Sequence, residues 1–161
     1  MSNLRIEKAG PEHVALVFAL LLELAAYERL SDSVFLTEDL LRENLFGSRR
    51  VAEALLAWDD GQPAGFAVFY HNYSTFLGRP GIYLEDVFVK PEFRGKGIGR
   101  SLLSHLARLG AERGCKRLEW SVLNWNETAI RFYESLGAKP KEGWTVYQLG
   151  GDALDKLANE S

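Results

Sequence analysis

The order of elements in this 161-residue chain predicts a mixed α/β fold, a largely antiparallel central sheet of about six or seven strands with helices on both faces. Three observations carry the prediction. Strand-like apolar runs joined by a hairpin signal fill the middle of the chain. A glycine-rich loop then leads into a helix, and a strand–helix–strand crossover follows. Strands and helices do not alternate from the start, as they would in a purely doubly wound sheet.

Leu4 to Glu7 reads as a short strand. Gly10-Pro11 opens a helix, proline being suited to a first turn, and Val14, Val17, Phe18, Leu21, Leu24 and Ala25 form its apolar stripe. Thr37 caps the next helix, with Glu38 and Asp39 complementing its positive end. Val51 to Trp58 and Ala64 to Tyr70 are strands around the turn Asp59-Asp60-Gly61, and Ile82 to Val89 is a third long strand. A helix from Gly97 to Arg113 buries Ile98, Leu102, Leu103, Leu106 and Leu109, and Gly114 ends it. Leu118 to Leu123 is a strand, Asn126 caps a short helix ending at Gly137, Trp144 to Leu149 is a last strand, and Asp152 starts a terminal helix. With no repeat or linker, residues 1–161 read as a single domain.

Composition narrows the function. Nineteen basic and 22 acidic side chains give a formal charge of −3, which argues against a nucleic-acid partner. The longest apolar run, Val14 to Leu22, is too short to span a bilayer, and no signal peptide is read, so no membrane association is expected. A single cysteine, Cys115, precludes an intrachain disulfide and fits a reducing, cytoplasmic compartment; it is read as a small buried residue rather than a nucleophile. His13, His71 and His105 lie far apart without ligand spacing, so no metal is expected.

The stretch "FRGKGIGRSLL", Phe93 to Leu103, carries the chemistry. A helix N-terminus leaves unpaired N–H groups and partial positive charge, both suited to an anion. Gly95, Gly97 and Gly99 let the backbone approach phosphate closely, and Arg94, Lys96 and Arg100 add charge. The spacing is wrong for the dinucleotide fingerprint, whose third glycine is replaced by Arg100, and the Gly-Lys-Ser/Thr of the triphosphate loop is missing. A tight turn using glycine only for geometry is the alternative.

"RGKGIG", Arg94 to Gly99, resembles the Q/R-x-x-G-x-G/A signature of the GNAT acetyltransferase superfamily. "YLEDVFV", "NWNETAIRFYESLGA" and "EGWTVYQL", with "ELAAYE" and "LTEDLL" nearer the start, resemble its spermidine/spermine branch, including thialysine-type members, over nearly the whole chain. The resemblance implies a GNAT fold with acetyl-CoA as co-substrate in a splayed strand pair. Its pantetheine arm would pair with the strand at Val87, Phe88 and Val89, and its pyrophosphate would sit on Arg94, Gly95, Lys96, Gly97, Ile98, Gly99 and Arg100. Asn126, Glu127, Thr128 and Ala129 would complete the cofactor site from the late helix.

Acetyl transfer requires an amine that arrives charged, with a pKa of ~10.4, to lose a proton. Glu85 falls where the family places the carboxylate that relays it; a salt-bridged strand residue is the alternative. Asp86 suits a structural or a functional role equally. Tyr133 falls at the family's acid tyrosine, which protonates the departing thiolate, although a helical tyrosine taken alone is more often packing. Tyr27, Glu28, Glu85 and Asp86 are the implied acceptor-binding residues for a small cationic amine: a diamine, a polyamine or a lysine-like amine such as thialysine. The segment His71 to Ile82 has Arg79 and lacks the acidic residue that polyamine-specific members tend to carry there, which lowers polyamines relative to thialysine-like amines. The branch implies a homodimer, often with exchanged C-terminal strands, in which Trp144, Val146 and Tyr147 would lie at an interface or else in ordinary core. Two other functions fit the fold: a protein lysine or N-terminal acetyltransferase, and a non-catalytic acyl-CoA sensor.

Overall fold

The structure, a computed structural model, describes residues 3–160. It forms two compact units, Met1–Leu123 and Asn124–Ser161.

The first unit holds a five-stranded sheet in sequential order: β1 (Leu4–Lys8), β2 (Glu53–Asp59), β3 (Gln62–Ser74), β4 (Arg79–Val89) and β5 (Leu118–Trp120). The first four strands pair antiparallel, and β5 joins β4 in parallel after the crossover helix α3 (Ile98–Glu112). The helices α1 (Val14–Tyr27) and α2 (Glu38–Phe46) come between β1 and β2. Thr37 caps α2 as its sequence predicts, its hydroxyl accepting from the Leu40 N–H at 3.2 Å.

Both faces of the sheet are packed. On one, Val14, Val17, Leu20 and Leu24 of α1 meet Leu41 and Leu45 of α2 and Leu56, Phe66, Val68 and Phe88 of the sheet. Leu20 is fully buried, while Leu21, expected in the stripe, only borders the cluster; steps of three, three and four along α1 keep one narrow face inward. On the other, α3 presents Ile98, Leu102, Leu103 and Leu106, and Leu109 is only half-buried. At buried Gly110 a Cβ would stand 3.3 Å from Ile82 Cδ1, so α3 lies unusually close to β4 there.

Three expectations change. The sheet has five strands rather than six or seven. The strand foreseen to Leu123 stops at Trp120, because β4 diverges beyond Leu84 and offers no further partner. Trp144 to Leu149 is not a strand: among the described residues it makes no ladder, and Trp144, Val146 and Tyr147 are 74%, 93% and 93% exposed. An alternating apolar segment becomes a strand only when another edge supplies its hydrogen bonds. The second unit is helical instead, with α4 (Glu127–Ser135) and α5 (Gly151–Ala158). No helix among the described residues is long and apolar enough to cross a membrane.

Candidate active site

The site is organised by one irregularity in β4. Val68 of β3 faces Asp86, but Phe69 faces Leu84, so Glu85 is an extra residue, a β-bulge. The bulge reverses the alternation of side chains. Ile82 lies on the α3 face, against Gly110, whereas Phe88, an even number of residues later, packs in the α1 cluster. Asp86, opposite Val68, therefore shares the α1 face with Phe88, beside the C-terminal end of α1.

Three carboxylates gather there. Burial first, then the negative charges of Glu85 and Glu28, pushes Asp86 up to about 7. Burial also raises Glu28. Tyr70 is raised by burial, then by Glu85 and then by Tyr83. The Tyr70 and Tyr83 rings stand 5.2 Å apart, and the Tyr83 hydroxyl lies 2.8 Å from Ser121 Oγ. These tyrosines and Ser121 were not singled out from the sequence; the signal available was the aromatic pairing of two neighbouring strands.

The same divergence frees a backbone edge. Pairing of β4 with β5 ends at Leu84–Trp120. Lys90 donates its N–H to Ala64 of β3, so by alternation the N–H and C=O groups of Val87 and Val89 point to the opposite, open edge. The Val89 carbonyl accepts from Arg94 Nε at 2.9 Å. The Arg94 guanidinium stands 4.8 Å from the Tyr27 ring centre and 5.5 Å from that of Phe88, joining the loop to both strand and helix.

The glycine loop fits an anion. Gly95 and Gly97 both have φ of 80°, a conformation that favours glycine, and Gly97 is the N-cap of α3. A Cβ at either would meet no atom within 4 Å, so the space over the loop is open. Ile98 is buried beneath it, and Arg100 lies in the first turn of α3. Lys96 is engaged elsewhere: its Nζ reaches Asp59 Oδ2 at 3.2 Å, a contact the sequence gave no reason to expect, since Asp59 read only as part of a turn.

The structure thus brings together Tyr27, Glu28, Glu85, Asp86, Val87, Phe88, Val89 and the loop Arg94 to Arg100 within the first unit. Asn126, Glu127, Thr128, Ala129 and Tyr133 belong to the second. There Asn126 is the buried N-cap of α4, its Oδ1 accepting from the Ala129 N–H at 3.2 Å, and Tyr133 lies in the same helix with its ring 5.5 Å from Phe132.

The chain also resembles known proteins. Residues 19–138 match the Acetyltransferase (GNAT) family. The chain is 38% identical to the thialysine N-epsilon-acetyltransferase of Bos taurus, over 99% of this chain and 100% of that protein. It is 34% identical to the thialysine N-epsilon-acetyltransferase of Caenorhabditis elegans over the same shares. Its fold is similar to that of an integron cassette protein from the mobile metagenome of V. cholerae, with a TM-score of 0.81 and 30% identity over 98% of both chains. With a glycine loop at the head of α3, an open strand edge and this family match, the chain is an N-acetyltransferase and belongs to the GNAT acetyltransferase family.

Proposed function

We propose that this enzyme moves the acetyl group of acetyl-CoA directly to a primary amine of a small, cationic, lysine-like molecule in a ternary complex. The observation that carries the substrate class is the meeting of Glu28, Glu85 and Asp86 beside β4, where burial first, and then the charges of Glu85 and Glu28, raise the Asp86 carboxyl, a setting that favours an incoming cation. The thialysine acetyltransferases that the chain resembles end to end support the same class.

The residues present fit the donor. Gly95 and Gly97 leave open space at a helix N-terminus, and Val87 and Val89 turn backbone groups to an unpaired edge. Bound acetyl-CoA supplies the activated acyl carbon. Arg94, Arg100 and the loop amides hold its phosphates, while Val87, Phe88 and Val89 guide its arm. Asn126, Glu127, Thr128 and Ala129 complete the donor site from α4. An ammonium ion placed there favours the ionised form of Asp86. Glu85, with Asp86 beside it, then takes the amine proton directly or through water, and Tyr27 borders the acceptor. Tyr133 donates a proton to the departing sulfur; a phenol of pKa ~10 and a thiol of ~8.5 are close enough for that exchange.

We infer a homodimer as the working form. Trp144, Val146 and Tyr147 are large apolar side chains left exposed, and a second copy supplies a surface to cover them. The family match runs across the boundary of the two units, which supports their acting as one catalytic domain. A cytoplasmic setting, in keeping with the free thiol Cys115, belongs to the same reading.

The test is thiol release from acetyl-CoA with thialysine, lysine, diamines, spermidine and lysine peptides. Turnover is expected with thialysine-like amines, and less with spermidine because of Arg79. Turnover with peptides alone would replace the small-amine reading by a protein acetyltransferase. Tight donor binding with no turnover on any amine would make the protein a sensor.

A further inference from the structure

Lys96 is the one side chain between Gly95 and Gly97; it is half-exposed, and its ammonium reaches toward the β2–β3 turn. Its Nζ lies 3.2 Å from Oδ2 of Asp59, the last residue of β2, and 5.4 Å from the Phe93 ring centre. Asp59 is 3% exposed, and its other oxygen, Oδ1, is buried with no hydrogen-bond partner. A carboxylate chosen only to close the β2–β3 hairpin would satisfy both oxygens or be an amide. The turn is tied separately to the residue before β1: Asp60, the next residue, takes the Asn3 N–H on its side chain at 2.9 Å. The one bond of the Asp59 carboxylate goes to the lysine of the phosphate loop, 37 residues away.

We propose that Asp59 is a positioning residue for donor binding: through Lys96 it holds the phosphate loop in its anion-ready conformation before acetyl-CoA arrives. The proposal rests on the acetyl-CoA reading of the loop. It gives Lys96 a role different from a phosphate ligand. The lysine charge is balanced by Asp59, and the phosphates are left to the loop amides, Arg94 and Arg100. A loop with two residues at positive φ is the kind of segment that wanders when untethered, and fixing it beforehand removes an ordering cost from binding.

The discriminating pair of donors is acetyl-CoA and S-acetylpantetheine, which carries the same thioester and arm but no phosphate. Wild type is expected to prefer acetyl-CoA strongly in kcat/KM. Asp59→Asn is expected to raise KM for acetyl-CoA about tenfold, on the scale of one charge-assisted hydrogen bond, with kcat little changed and S-acetylpantetheine turnover unaltered. Equal impairment with both donors would make Asp59 merely structural and overturn the proposal. A wild type that does not distinguish the donors would overturn the acetyl-CoA reading as well. Should Asp59→Asn fail to fold, the Lys96 ammonium resonance of the wild type decides. It is expected to be protected from exchange without donor and unmoved by inorganic pyrophosphate, whereas a large shift on adding pyrophosphate would show direct contact and overturn the tether.

Discussion

The guanidinium of Arg94 stands 4.8 Å from the ring centre of Tyr27. The first residue of the glycine loop thus rests on the last residue of α1, next to Glu28, and the proposed donor and acceptor sites meet at this contact. Tyr27→Leu removes a cation–π contact of about 0.5–1 kcal/mol and is expected to raise KM for acetyl-CoA about two- to fivefold. Tyr27→Phe keeps the ring and is expected to leave that KM unchanged. Initial-rate kinetics with acetyl-CoA varied at saturating amine separate the two variants.

Tyr133→Phe is expected to lower kcat about 10²-fold or more while leaving acetyl-CoA affinity unchanged, because it deletes only the hydroxyl proposed to protonate the departing sulfur. Isothermal titration with CoA checks the affinity and single-turnover measurements check the chemistry. Unchanged turnover would remove Tyr133 from the mechanism.

Asp86 carries a pH signature. Its folded pKa is raised, to about 7, so the stability it contributes is full below the unfolded value near 4 and is lost as pH rises through 7. Asp86→Asn should therefore raise the melting temperature at pH 8.5 by a few degrees, have little effect at pH 4, and impair amine acetylation. Melting curves at the two pH values provide the comparison.

Glu53 behaves in the opposite sense. Hydrogen bonds from Arg113 at 2.7 and 2.9 Å, with Lys8 at 3.1 Å, hold its carboxyl down at about 2. Its contribution is present above the unfolded value of about 4.5 and is lost as pH falls toward 2. Glu53→Gln is expected to flatten the acid limb of the stability curve, removing ~2–3 kcal/mol at pH 7, as urea titrations at pH 7 and pH 2.5 would show.

The combined substitution Val146→Asp and Tyr147→Asp is expected to convert a dimer into a monomer in light scattering, because it puts charge among the exposed apolar side chains of Trp144 to Leu149. A monomeric wild type would sink the dimer reading outright.

Much of this was legible in the sequence because local chemistry governs it. Thr37 and Asn126 cap helices where they were expected, since a cap needs only its own first turn. The glycine loop lies at the head of α3 for the same reason. The rest depends on contacts between distant positions. The early end of β5 follows from the course of β4, and the Asp59–Lys96 bond joins residues with no pattern in common. The segment from Trp144 was misread because periodicity reports which side chains want burial, not whether an edge is available. Glu85 and Asp86 were odd carboxylates in an apolar strand; that a bulge puts Asp86 on the α1 face could not be counted from the sequence, because alternation predicts otherwise.

The bulge also shows how much irregularity this sheet tolerates. Ile82 and Phe88 stand six residues apart yet fill cores on opposite sides of the sheet, because β4 absorbs one extra residue between them. Deleting Glu85 would leave those two side chains five apart, still on opposite faces by plain alternation, so both cores would keep their filling while the irregularity beside α1 vanished. The extra residue is therefore carried by the framework without being demanded by it, and the packing of the two cores places no requirement on it.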